Sequence, residues 1–131
     1  MIESKLSGGV LKIGSPCSNG AKLKTSKRDG SDHQLWTWKG NSLVSKSGLY
    51  LGHTGSDAGS NVVALDTHGA AMIETKWRIE NEKLISFSSG MALDIKDGSI
   101  WTNQDIVLWP RTQSRRVDSQ SWRLALYYPA Q

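Results

Sequence analysis

Apolar residues along this chain stand in short clusters, such as Val10-Leu11, Leu43-Val44, Val62-Val63-Ala64, Leu84-Ile85 and Ile106-Val107-Leu108, each close to Gly, Ser, Asn or Asp. No window of useful length carries the 3.6-residue apolar period of an amphipathic helix, and Gly recurs too often for a long helix to run uninterrupted. The pattern predicts an all-β chain of brief strands joined by polar turns, with almost no α-helix.

The clusters repeat. Ser4, Ser45 and Ser86 recur at equal steps of 41 residues, and each is followed by a Ser-Gly pair: Ser7-Gly8, Ser47-Gly48 and Ser89-Gly90. Gln34-Leu35-Trp36, Thr75-Lys76-Trp77 and Gln120-Ser121-Trp122 keep nearly the same step, and an apolar residue stands two positions after each Trp: Trp38, Ile79 and Leu124. Landmarks that share one period mark an internal threefold repeat. The copies run about 1–42, 43–83 and 84–131, without linkers, within one domain.

Each copy opens on an apolar residue two before its Ser (Ile2, Leu43, Leu84). A strand marked by Leu11, Leu51 or Leu93 follows, and then a second strand after a polar turn: Ala21 to Thr25, Val62 to Asp66 or Ile106 to Trp109. A longer polar loop then leads to the strand with the motif Trp, giving four strands per copy. Such units cannot bury their apolar faces singly, so they are expected to close around a pseudo-threefold axis with Leu and Trp in one shared core. That architecture is a β-trefoil. A Trp at the same place in every copy reads as a buried core residue.

Composition narrows the class. The length of 131 residues supports a core without staples, and the single Cys17 excludes an internal disulfide and reads as inert. The formal charge of +4 is modest and its lysines and arginines are dispersed, so no dedicated nucleic-acid stripe is expected. The Lys22, Lys24, Lys27 and Arg28 group reads as solvated loop. No stretch approaches membrane-spanning length and the N-terminus lacks signal-peptide character, so the expectation is a cytosolic protein or a module of a longer one.

The Gln-x-Trp repeat, the Ser-Gly-x-x-Leu strand and the period of about 40 residues resemble the ricin-type β-trefoil lectins over essentially the whole chain. Copies one and three match best, in Ser7-Gly8-Gly9-Val10-Leu11 and Ser89-Gly90-Met91-Ala92-Leu93. Copy two departs, with Thr75 where Gln is expected.

A neutral sugar needs an aromatic face for its C–H surface and a fixed acceptor for adjacent hydroxyls, which are tasks for Trp and Asp. Only the third copy offers both, in Leu93-Asp94-Ile95 and Leu108-Trp109-Pro110. The resemblance implies that Asp94 and Trp109 form floor and wall of a galactose or N-acetylgalactosamine pocket, and that Gln120 supports the Asp. It also places Ser119 where the family commonly has a sugar-contacting Asn, and Val107 where a polar residue is often found. Asp97, in Asp97-Gly98, reads as a turn residue that could hold the loop for the site. Trp101, on the loop Ser99 to Asn103, either caps a second sugar unit beside that pocket or packs locally. The equivalent positions are read as Lys12 and Lys24 in copy one and as Gly52 and Leu65 in copy two, and neither pair makes a pocket.

The resulting expectation is a glycan-binding lectin or module, monovalent per chain, with no cofactor, no nucleic-acid partner and no membrane insertion. A lone pocket of this kind binds weakly, on the order of millimolar to micromolar, so useful avidity calls for a homodimer or a fused multivalent part. Enzymatic activity is not expected: His33, His53 and His68 are dispersed, with no nucleophile and acid at matching spacing. Asp66-Thr67-His68 offers two metal ligands on one strand face but no third. Two other classes are open on the sequence: a trefoil acting through protein surfaces, as protease inhibitors or cytoskeletal cross-linkers do, and an acidic-polysaccharide or phosphate binder using Arg111, Arg115 and Arg116. The closing run Leu124 to Tyr128 completes the last strand.

Overall fold

The computed structural model describes residues 1–66, 73–111 and 118–125. Its strands are β1 (Ile2–Ser4), β2 (Val10–Ile13), β3 (Leu23–Ser26), β4 (Trp36–Lys39), β5 (Ser42–Ser45) and β6 (Tyr50–His53), then β7 (Val62–Leu65), β8 (Trp77–Glu80), β9 (Lys83–Ser86), β10 (Ala92–Ile95), β11 (Ile106–Trp109) and β12 (Trp122–Leu124). No α-helix occurs among the described residues, only three single 3-10 turns. The strands form three antiparallel four-stranded sheets, in the orders β12-β1-β2-β3, β4-β5-β6-β7 and β8-β9-β10-β11. Each sheet straddles a copy boundary, because the motif-Trp strand pairs with the strand that opens the next copy. This is the all-β trefoil that the repeat predicts.

The turn between the first two strands of each copy follows from the repeated Ser. Ser4, Ser45 and Ser86 are buried, and their hydroxyls accept backbone N–H groups from Leu6 and Ser7, from Ser47, and from Ser89. Gly8, Gly48 and Gly90 close these turns at positive φ, where a side chain would be strained.

The three hairpins β2-β3, β6-β7 and β10-β11 interlock cyclically. The loop of each lays its backbone on the second strand of the next: Gly20 N–H on Ala64 O at 2.7 Å, Gly59 N–H on Leu108 O at 2.7 Å and Asn103 N–H on Thr25 O at 2.6 Å. The returning bonds run from Ala64 to Ala21, from Leu108 to Ser60 and from Thr25 to Gln104. Ala64, Leu108 and Thr25 therefore spend both backbone groups on the neighbouring copy. Their cross-strand partners Leu51, Leu93 and Leu11 must then turn their own groups the other way.

The motif Trp meets that demand. Trp77 Nε1 donates to Leu51 O at 3.0 Å, Trp122 Nε1 to Leu93 O at 2.9 Å and Trp36 Nε1 to Leu11 O at 3.4 Å. A buried carbonyl without a partner would cost about 1–3 kcal/mol, so the repeated Trp is a hydrogen-bonding requirement as well as apolar volume. Trp77 and Trp122 are buried as expected, but Trp36 is only half-buried. It flanks an apolar groove with Ile2, Trp38 and Leu124, where no further element covers it among the described residues.

Candidate functional site

Register defines two faces on each hairpin. Leu93, Ile95, Ile106 and Leu108 enter the shared core, with Leu11, Ile13 and Leu23 of the first hairpin and Leu51, Val62 and Ala64 of the second. Side chains alternate across a strand, so the opposite, outer face of β10-β11 carries Ala92 opposite Trp109 and Asp94 opposite Val107. Asp94 and Trp109 are thus diagonal neighbours on one face, roughly 7–8 Å apart at the backbone and within reach of a long aromatic side chain. Asp94 is 1% exposed, whereas Trp109 is half-exposed.

Gln120 is also buried, and its amide nitrogen donates to Asp94 Oδ2 at 3.2 Å and to Pro110 O at 3.0 Å. One side chain therefore braces the carboxylate and fixes the chain just after Trp109. Gln34 does the corresponding work in the first copy, donating to Lys27 O at 2.6 Å and accepting from the N–H groups of Asp29 and Gly30. In the second copy Thr75 takes this place, buried against Ser42 Oγ at 3.4 Å. Ser119 is buried, and its carbonyl accepts Ile95 N–H at 3.3 Å, which ties the motif segment to the end of β10. Asp97 stands exposed at the apex of the turn after β10 with φ 59, so it shapes that loop.

On the outer faces of the other hairpins the chemistry differs. The second hairpin carries Tyr50, Gly52, Val63 and Leu65, and a Cβ on Gly52 would come within 2.6 Å of Leu65 Cδ1. Leu65 therefore fills the space that an acidic side chain would need.

The first hairpin carries Val10, Lys12, Lys24 and Ser26. Pairing of Val10 with Ser26 corrects one sequence expectation: the residue corresponding to Trp109 is Ser26, while Lys24 corresponds to Val107. Counting along the chain misplaced it because the loops inside the hairpins differ in length. Instead of a blank face, a cavity of about 370 Å³ opens there, lined by Lys12, Lys24 and Lys27 together with Thr102 and Asn103 of the third copy. Of the group read as solvated loop, Lys27 is exposed as expected, whereas Lys24 is half-buried in β3, and both line this cavity.

Trp101 is 74% exposed, and its loop is bonded to β3 of the first copy: Thr25 Oγ1 donates to Trp101 O at 3.3 Å and accepts Gln104 N–H at 3.1 Å. No motif or spacing points to this contact, since it joins residues of different copies. His68, Arg115, Arg116, Tyr127 and Tyr128 lie outside the described residues. Among the described residues, no group of three His, Cys, Asp or Glu could hold a metal, and no helix is long and apolar enough to cross a membrane.

The model of the ricin-type β-trefoil lectin domain matches residues 1–122, a span that includes all three Trp motifs. The chain belongs to the ricin-type β-trefoil lectin family. As a ricin-type domain it is a carbohydrate-binding type of fold, and solved structures agree on the architecture. The designed threefold-symmetric protein ThreeFoil superposes with a TM-score of 0.83 at 23% identity, over 96% of each chain. The C-half of the earthworm R-type lectin in complex with GalNAc superposes at 0.71 and 20% identity, over 93% of each chain. A non-toxic type II RIP homologue from bitter gourd, Momordica charantia, in complex with α-methyl-D-galactoside gives 0.78 at 17% identity, over 93% of this chain and 45% of that one. No curated protein matches significantly.

Proposed function

We propose that this ricin-type domain is a binding module, not an enzyme, for glycans containing galactose or N-acetylgalactosamine, with one neutral-sugar site on the outer face of β10-β11. The observation that carries this reading is the placement of a braced, buried Asp94 and a half-exposed Trp109 on one face, a combination that neither other hairpin has. In this reading Asp94 is the acceptor for adjacent sugar hydroxyls, through hydrogen bonds that its charge strengthens. Trp109 covers the C–H face of the ring, Gln120 holds the carboxylate, and Ser119 and Asp97 set the segments on either side. The ligands named for the earthworm and bitter gourd proteins support the choice of sugar class. The three copies act as one domain, with no cofactor in the binding step.

Calorimetric titration with lactose tests the reading. Expected is one weak site, on the order of millimolar to micromolar, lost in both Asp94→Ala and Trp109→Ala while both variants remain folded by circular dichroism. Absence of binding, or binding unchanged in the two variants, refutes the site.

A further inference from the structure

We propose that the cavity between the first hairpin and the β10-β11 loop is a second binding site, for an acidic saccharide whose carboxylate or sulfate is held by Lys12, Lys24 and Lys27 and whose ring lies against Trp101. It goes beyond the neutral-sugar reading and uses none of that site's residues.

The first observation is an arrangement that folding alone disfavours. Lys12 and Lys24 are directly opposed across the strands, a like-charge pair that destabilises a sheet. Acids from elsewhere hold them in place: Asp29 lies 3.1 Å from Lys12 Nζ, and Asp105 of the third copy lies 2.5 Å from Lys24 Nζ and 3.7 Å from Lys22 Nζ. Lys24 holds the Asp105 carboxyl below its ordinary range, with Lys22 and Lys96 adding to the effect. The Ser31 backbone N–H, with help from Lys12, does the same for Asp29. Both acids are therefore ionised at neutral pH. Lys12, Lys22, Lys24 and Lys27 still outnumber these two carboxylates, and Lys27 has no ion-pair partner among the described residues. The space between them keeps a surplus of positive charge that an anion would balance.

The second observation is that the walls are built. Gln34 fixes the Lys27 carbonyl, and Thr25 pins the loop that supplies Thr102 and Asn103. Gly14 lies so close to β3 that a Cβ would come within 2.9 Å of Lys22 O, so no side chain fills the space from that side. The volume of about 370 Å³ lies in the range of small-molecule sites. It continues, past Gly14 and Asn103, into a neighbouring cleft of about 490 Å³ reached by Lys22.

The third observation selects a sugar over a bare anion. Trp101 immediately precedes two wall residues and leaves three quarters of its surface in water. An indole held out by a pinned loop is a stacking platform for the apolar face of a ring, which inorganic phosphate or sulfate would leave unused.

The test titrates the whole chain with glucuronic acid, galactose 6-sulfate, galactose and inorganic sulfate, at low and at physiological salt. Expected is binding of at least one of the two acidic sugars that weakens with salt. Lys12→Gln, Lys27→Gln and Trp101→Ala should each weaken this salt-sensitive binding by about tenfold or more, and Asp94→Ala should leave the salt-sensitive binding unchanged. Lys27→Gln guards against loss of fold, because it breaks no ion pair. Failure of both acidic sugars to bind overturns the proposal, as does sulfate binding as tightly as galactose 6-sulfate with Trp101→Ala silent. Loss of the salt-sensitive acidic-sugar binding in Asp94→Ala overturns it too, by moving the ligand to the third copy. Lactose binding that disappears in Asp94→Ala but persists in Lys27→Gln separates the two sites.

Discussion

Replacing His53 by Ile tests the threefold frame through one proton. His53 stands in β6 where the other copies place Ile13 and Ile95, and it is as buried as they are. Its Nδ1 lies 2.6 Å from Gly55 O, which can only accept, so Nδ1 carries the proton and Nε2 accepts from Ser86 Oγ at 2.8 Å. The ring edge meets Trp77 at 5.8 Å and 82°. A second proton would place a cation in the core, and burial accordingly lowers the His53 pKa from 6.5, against smaller opposing effects of the Gly55 carbonyl and the Glu74 carboxylate. The unfolded chain therefore takes up this proton first. The neutral ring's contribution is fully present above 6.5 and is lost as pH falls below it, at up to about 1.4 kcal/mol per pH unit. One unit of acidification should lower Tm by about 3–6 °C in the wild type. His53→Ile should flatten that slope, because Ser86 Oγ keeps Ser88 Oγ and Ser89 N–H as partners. Thermal unfolding followed by circular dichroism from about pH 8 to about pH 5 reads both. A wild-type Tm constant across that window, or an equal fall in the variant, refutes the reasoning. The carboxyls of Asp29, Glu80 and Asp105, all held below their ordinary values, belong to a separate loss at lower pH.

Three further outcomes follow from the same geometry. Trp77→Phe and Trp122→Phe each strand a buried Leu carbonyl and should cost about 1–3 kcal/mol beyond the lost area; Trp36→Phe, with a longer bond and a half-exposed ring, should cost clearly less in urea unfolding. Gly52→Ala drives a Cβ onto Leu65 and Glu74 O. It should destabilise by about 1–3 kcal/mol, read as a lower Tm, and adding Leu65→Ala should recover part of the loss. Moving the third outer face onto the first hairpin, with Lys12→Asp, Lys24→Val and Ser26→Trp, should raise the lactose stoichiometry from one to two, since Gln34 already holds the Lys27 carbonyl as Gln120 holds that of Pro110. Calorimetry counts the sites.

Most of the fold was legible because the inward positions answer to local rules that recur. A Leu carbonyl turned away from its hairpin partner needs a donor, a buried Ser closes a turn, and each leaves the same letter at the same step. That Asp94, Trp109 and Gln120 come together was legible for a different reason: all three lie inside one copy, where the family resemblance could be read position by position. Ser26 was not, because unequal loops shift the count and only the pairing with Val10 fixes the register. Nor was the lysine cavity, whose walls come from the first and third copies and whose acid Asp105 lies far along the chain from Lys24. Trp36 departs from the burial its motif predicts because its exposure depends on what lies beyond the motif, not on the motif itself.

The division of labour between the two hairpin faces explains why the copies differ where they do. The inward positions pack together in the common core, and Thr25, Ala64 and Leu108 also bond their backbones to the neighbouring copy, so a change there is felt in two copies at once. An outer position is constrained chiefly by its opposite residue and by whatever loop overlies it. Tyr50 and Leu65, Ala92 and Trp109, and Val10 and Ser26 accordingly differ in size and polarity from copy to copy on the same backbone pairing. The outer pairs then differ in the chemistry they present: Leu65 closes the space beside Gly52, Asp94 lies diagonal to Trp109, and Lys12 faces Lys24. A scaffold of near-identical units can in this way present unlike outer faces, because the residues that make the copies alike are the inward ones.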